Sequence, residues 1–288
     1  MYDLSQYAFV ATIIALSLAI LLYFINAIGA LSLRTMSFAG GQSFPTSTLH
    51  NAVDAGGRYA TILTINTAVF LTASLVFRAV ASGHGPFSNM YEFSLAFSWG
   101  ALVLYLYFEV RYRLRALALI VLPIALAMLV YATTVPSEID PLVPALQNNL
   151  LLTVHVVVAI FAYGAFSLAF GAAVLYLMQR RDSIRWLPRR AVLDEVAYRA
   201  VMVGFPMMAL VLILGALWAQ IAWGSYWTWD PKETASLVTW LIYGGYLHAR
   251  VVRGWRGQRS ALLLIIGFGA TLFTYYGNLF FGGLHSYG

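Results

Sequence analysis

Residues 223–234 read Trp223-Gly-Ser-Tyr226-Trp227-Thr-Trp229-Asp230-Pro-Lys232-Glu233-Thr, with long apolar runs on both sides. Four large aromatics offer flat faces that can pack on a flat ligand and exclude water. Lys232 can hold an anionic group, or it can pair with Asp230 or Glu233; both readings stay open. The two acids suit the start of a helix, where the backbone dipole favours negative charge. An aromatic belt at a membrane surface would also gather Trp and Tyr, but a belt requires no fixed Trp-x-Trp-Asp-Pro-Lys-Glu order. The chain also has five histidines, at 50, 84, 155, 248 and 285. Imidazole is a general metal ligand and the commonest axial ligand of haem iron.

The elements that must position these groups follow from composition. Of 288 residues, 61% are hydrophobic and only 10% are charged, far below the roughly 25% charge of a soluble domain. The expected class is all-α: a polytopic integral membrane protein forming one membrane domain over 1–288, with 223–234 as an external loop. A hydrocarbon core about 30 Å thick needs about 20 apolar residues per helical crossing. About eight transmembrane helices are predicted, near 6–33, 59–80, 91–109, 116–133, 149–179, 198–222, 233–250 and 260–283. With no cysteine in the chain, disulfides, thiolate metal sites and thiol nucleophiles are excluded. A cleavable signal peptide is not expected, because Met1-Tyr-Asp3 lacks a basic start. No phosphate-binding loop, nucleophile elbow or mid-membrane carboxylate is evident.

The basic residues orient the spans. Arg34 and Arg58 flank the first loop. Arg111, Arg113 and Arg115 fill the third, six arginines between 180 and 199 crowd the fifth, and Arg250, Arg253, Arg256 and Arg259 belong to the seventh. These are 15 of the 17 basic residues, and only Arg78 and Lys232 fall in even loops. By the positive-inside rule the odd loops face the cytoplasm and both termini face outward. The net charge of +6 is thereby explained by the lipid bilayer, and no nucleic acid is expected. The segment 180–199, with Trp186, Leu187, Val192, Leu193 and Val196 among its arginines, reads as a short amphipathic helix on the anionic inner leaflet.

Depth then sorts the histidines. His155 lies about five residues into helix five, and His285 lies at the outer end of helix eight. Both reach the level of the tryptophan-rich loop. A polar side chain within a span is costly and usually has a partner or a function, so either a ligand pair or two hydrogen-bonded histidines would satisfy this. His248 follows Glu233 by fifteen residues, about 22 Å along a helix, and belongs near the cytoplasmic side. Alone it reads as an interfacial histidine beside Arg250. His50 is placed in the first cytoplasmic loop, near the turn-like pairs Gly40-Gly41 and Gly56-Gly57. His84 is placed in an outer loop, with an ordinary turn role as its default.

The stretch WDPKETASLVTWLIYGGYLHAR resembles the CcsA (ResC-like) branch of the tryptophan-rich WWD haem-handling proteins of cytochrome c maturation. Three further segments resemble that family in the same order: GHGPFSNMYEFSLAFSW (83–99), NNLLLTVHVVVAIFAYGAF (148–166) and the terminal FFGGLHSYG. The resemblance implies haem delivery and covalent attachment to an apocytochrome c, in the cytoplasmic membrane of a bacterium or in a thylakoid membrane. It implies haem b as bound substrate, His155 and His285 as axial ligands of an external haem, and His248 as a ligand at an inner entry site. A CcsB (ResB-like) membrane partner would supply the other inner histidine, with His50 of this chain, on the same side, as the alternative. Trp223, Tyr226, Trp227 and Trp229 would pack the porphyrin, with Lys232 on a propionate and Asp230 and Glu233 holding the loop. His84 is a further candidate. The attacking thiols would belong to the substrate's Cys-x-x-Cys-His, so cytochrome c synthase activity is expected only of the complex. A b-type electron-transfer cytochrome, or a haem transporter without ligase activity, would use a similar histidine set.

Overall fold

The computed structural model describes residues 1–39, 46–139, 149–179, 181–184, 186–277 and 281. Among them lie eight helices and no strand: α1 (Tyr2–Ala39), α2 (Thr46–Ser82), α3 (Met90–Tyr112), α4 (Ala118–Ala132), α5 (Asn149–Met178), α6 (Arg190–Trp223), α7 (Pro231–Val252) and α8 (Gln258–Tyr276). All but α7 are long and apolar enough to cross a membrane by length and composition. Helices suit lipid because each satisfies its own backbone hydrogen bonds.

Side-chain contacts show that successive helices alternate in direction. Ser5 of α1 bonds Ser74 of α2, whereas Asn26 bonds the Val53 carbonyl near the other ends of the same helices. The α3 cap pairs with the end of α2, and further along α3 Ser98 bonds the Ala125 carbonyl of α4. Helix α7 follows the same rule despite its polarity. Its start lies by the end of α6, Trp240 stacks on Phe205 at 5.2 Å, and Arg250 pairs with Asp194 near the start of α6 at 2.8 Å. On its other flank Thr239 meets Thr274 of α8 at 3.0 Å. It therefore traverses the same thickness as its neighbours, with its polar groups covered by them.

Helices α1–α4 form one half of the bundle and α5–α8 the other, joined where α3 packs on α5. Small residues permit that contact. A Cβ at Gly100 would lie 2.3 Å from Ile160, and one at Gly164 would lie 2.9 Å from the Gly100 carbonyl. The second half is closed midway by an aromatic stack. Phe166 and Tyr243 lie 3.6 Å apart and nearly parallel, and the outer faces of the pair rest on Gly204 and Gly267.

Several sequence expectations need correction. Residues 190–199 do not form a separate surface helix, because α6 runs unbroken from Arg190. Leu187, Leu193 and Val196 are buried in the bundle core instead of facing lipid. Arg250 does not belong to the seventh loop; it lies within α7, buried against Asp194 and over the Tyr198 ring. Helix α2 starts at Thr46, so His50, Gly56 and Gly57 are helical and not in a loop. Gly57 lies where a Cβ would meet the Arg115 guanidinium at 2.4 Å. By contrast, a Cβ at Gly269 in α8 would meet nothing within 4 Å.

Arg78 and Glu92 form an ion pair at 2.7 Å with side-chain exposures of 0% and 1%. Arg78 also donates to the carbonyls of Ser137 and Glu138, and Glu92 accepts from the amide and hydroxyl of Ser88. The pair ties α2, the 83–89 loop, α3 and the segment after α4 at one end of the bundle. Removing one partner would strand the other charge, which costs about 3–5 kcal/mol. Arg78→Met should therefore lower the thermal midpoint in detergent sharply. Arg78→Met with Glu92→Gln should recover much of the loss; a double variant no better than the single would refute this account.

Candidate functional site

At the end of the bundle where Arg78 and Glu92 lie, five helices and one loop enclose a cavity. Its mouth is open, and its lining is mostly apolar and aromatic with a few polar groups, as small-molecule sites usually are. Phe93 and Phe97 come from α3, His155 and Tyr163 from α5, Gly215 and Trp218 from α6, Trp227 from the loop, Lys232, Glu233 and Ser236 from α7, and Tyr275 from α8. The deep end is aromatic: Phe97 stacks on Tyr163 at 5.1 Å and meets Tyr275 edge-on at 5.3 Å, while Tyr275 bonds Ser94 at 2.8 Å.

His155 lies six residues into α5, about 9 Å below its start at 1.5 Å per residue. Its ring rests against Gly215, where a Cβ would come within 3.0 Å of Cε1. Glycine here leaves room for the imidazole between α5 and α6.

The loop turns on two special conformations. Gly224 ends α6 at φ 73°, and Trp229 has φ 58°, rare for a large side chain. Asp230 then caps α7 by accepting from the Lys232 amide at 2.9 Å, and Glu233 reaches back to the Asp230 amide at 3.3 Å. Such a reciprocal capping box satisfies amides that a helix start leaves open. Glu233 Oε2 also accepts from the Thr228 amide at 2.8 Å and hydroxyl at 3.2 Å.

This box fixes which groups reach the cavity. Trp227 lines it, edge-on to Trp229 at 5.7 Å, whereas Trp229 and Tyr226 project outward with 70% and 56% exposure. Trp223 packs on buried Trp218 at 4.7 Å and supports the wall from behind. The Lys232 ammonium lies over the Phe93 ring at 5.8 Å, and no ion pair with Asp230 or Glu233 occurs within 4.0 Å among the described residues. The indole Nε1 of Trp227 and Oε1 of Glu233 are buried without hydrogen-bond partners.

The other histidines lie elsewhere. His84 Nδ1 donates to the Gly85 carbonyl at 2.9 Å and does not line the cavity. His248 is exposed on a face of α7 that also carries exposed Leu241, Gly245 and Val252. His285 lies outside the described residues, although α8 brings Thr274 and Tyr275 to the cavity shortly before it. A second, open cavity at the opposite end is lined by Arg58, Arg113, Arg115 and Trp186, with no histidine among the described residues that line it. Sequence reasoning missed Gly215, Trp218, Phe97 and Tyr163, since only packing shows which apolar residues face a cavity. Ser236 was within reach, standing one turn after Lys232.

Comparison with known proteins gives a consistent picture. A family model described as cytochrome C assembly protein matches residues 87–285. A cytochrome c biogenesis protein CcsA of Guillardia theta is 37% identical over 253 residues, covering 78% of this chain and 84% of the relative. Proteins of the same name from Chlamydomonas reinhardtii and Prochlorococcus marinus (strain NATL2A) are 38% and 36% identical. The first alignment covers 76% of this chain and 65% of the relative; the second covers 76% and 82%. A solved structure of the cytochrome c heme lyase CcmF shares the fold with a TM-score of 0.60 at 18% identity, covering 92% of this chain and 46% of that one.

Proposed function

The chain belongs to the cytochrome c assembly protein family, and from that premise and the cavity's geometry we propose that it presents haem for covalent attachment to apocytochrome c. One observation carries the reading. One open cavity has a histidine seated against a glycine on one wall, a lysine without an ion pair on another, and aromatic rings between them.

Each group then has a role. His155 ligates iron from α5, and His285 completes the external pair. Rings of Phe93, Phe97, Trp218 and Trp227 exclude water and hold the porphyrin by its faces and edges. Lys232 and the unpartnered Trp227 Nε1 are donors aimed at a propionate. Trp229 and Tyr226, being exposed, offer the incoming apocytochrome a stacking surface. Haem supplies iron and vinyl groups, while this chain orients them and controls ligation. The attacking thiols come from the substrate, because this chain has no cysteine.

His248 fits an inner site completed by another protein. Its side chain faces away from the bundle, beside Gly245, where a Cβ would meet nothing within 4 Å. That open helix face suits a CcsB-like membrane partner carrying the second ligand. The membrane is that of a bacterium or thylakoid, with the cavity end outside.

Three outcomes test this reading. His155→Gly should impair holocytochrome formation and alter the haem spectrum, with added imidazole partly restoring both. Gly215→Val should disturb the same spectrum by displacing the ring, while Gly269→Val should not. Unchanged spectra in His155→Gly and Gly215→Val would remove His155 from the iron. His248→Ala, assayed with its partner, should lower haem at the external site without changing that site's ligand spectrum; normal loading would end the entry-site role. For orientation, an impermeant thiol reagent applied outside should label Asp3→Cys but not Arg111→Cys or Ser183→Cys. The reverse pattern would invert the molecule.

A further inference from the structure

Glu233 carries more polar capacity than its structural work uses. Oε2 alone accepts from Thr228 N, Thr228 Oγ1 and Asp230 N and so closes the capping box. Oε1 is buried, has no partner, and belongs to a side chain on the cavity wall. Leaving a polar oxygen buried and unpaired is unfavourable, and more so for a charged group. A purely structural carboxylate would gain nothing from that arrangement. The complementary ligand for Oε1 must be a donor. A propionate is excluded by its like charge, and Lys232 and Trp227 Nε1 already offer donors for such an anion.

We propose that Glu233 is the catalytic proton carrier of thioether formation, a role that rests on the haem-attachment reading above. The donor that Oε1 meets is the substrate's S–H. As sulfur bonds to the inner vinyl carbon, the thiol proton passes to Oε1, and the same carboxyl returns it to the terminal vinyl carbon. One S–H bond and one C=C π bond are lost, and one C–S and one C–H bond are gained. No electron is exchanged with another reagent, and the proton taken up by the Glu233 carboxyl is returned within the step. A carboxylate is a weaker base than a thiolate and holds a thiol proton poorly. Relay within one addition step avoids storing it. The three bonds on Oε2 fix the plane of the group and so hold Oε1 in one position.

The test uses the full chain with its membrane partner, loaded with haem b and mixed with an apocytochrome bearing one Cys-x-x-Cys-His. Glu233→Gln should keep the bound-haem spectrum of the parent, while single-turnover attachment at pH 7 falls by about 10²-fold, within the usual range for acid–base groups. The deficit should shrink as pH rises past about 8.5, where the thiol ionises unaided. Glu233→Asp should recover part of the rate. An unchanged rate, a deficit independent of pH, or loss of the haem spectrum would each overturn the proposal, the last two by showing a structural role. Failure of the parent itself to form covalent product would instead sink the haem-attachment reading.

Discussion

A helix as polar as α7 can cross lipid only where other helices cover its polar face, and that requirement shapes half of this molecule. Unsatisfied polar groups in hydrocarbon cost several kcal/mol each. Along α7, Lys232, Glu233 and Ser236 face the cavity, Thr239 meets Thr274, and Arg250 pairs with Asp194. Helices α5, α6 and α8 are thereby drawn around it. The cavity results at one end because the covering there is incomplete. Its groups are polar or titratable, and the neighbouring walls supply rings in place of hydrogen-bond partners.

The same arrangement separates the two proposed haem positions physically. His155 faces into the bundle and His248 faces out of it, on a helix whose interior face at Tyr243 is closed by the ring of Phe166 at 3.6 Å. Gly204 and Gly267 accommodate the outer faces of that stack so closely that added methyl groups would lie 2.6 Å and 2.9 Å from the rings. Cores packed this tightly do not deform continuously. On the proposed reading, haem passing between the sites needs either rearrangement of this stack or a route along the outer face of α7. The second route makes a partner surface part of the path as well as a source of ligand.

How much was legible in sequence follows from what each signal reports. Apolar runs gave the eight helices, although α7 falls short of a span by length and composition alone. They placed the helix ends less well: α2 starts at Thr46 and α6 at Arg190, since helices continue beyond the apolar layer wherever bundle contacts support them. Leu193 and Val196 looked like an interfacial stripe, but periodicity cannot say whether a stripe meets lipid or protein. At the site, Asp230 and Glu233 were readable as caps because capping is local. The depth of His155 was readable for the same reason. Which of the four loop aromatics enters the cavity was not, because it depends on a left-handed backbone at Trp229 and on Trp218, which holds Trp223 behind the wall.

Two charges broke the loop-by-loop alternation, and both resolve in the same way. Arg78 is not a free charge on the outer side: it is sealed against Glu92 and two carbonyls, with the Tyr91 ring 4.9 Å away. Lys232 is not a loop cation either, since it lines the cavity over Phe93. The positive-inside rule concerns charges that flank spans and remain near water, so neither residue offends it. An exception to that rule therefore marks a charge engaged elsewhere. For Arg78 the engagement is structural and complete. For Lys232 no anion within ion-pair distance accompanies it among the described residues. On the proposed reading, the bound ligand brings the negative charge that offsets the desolvation of this cation.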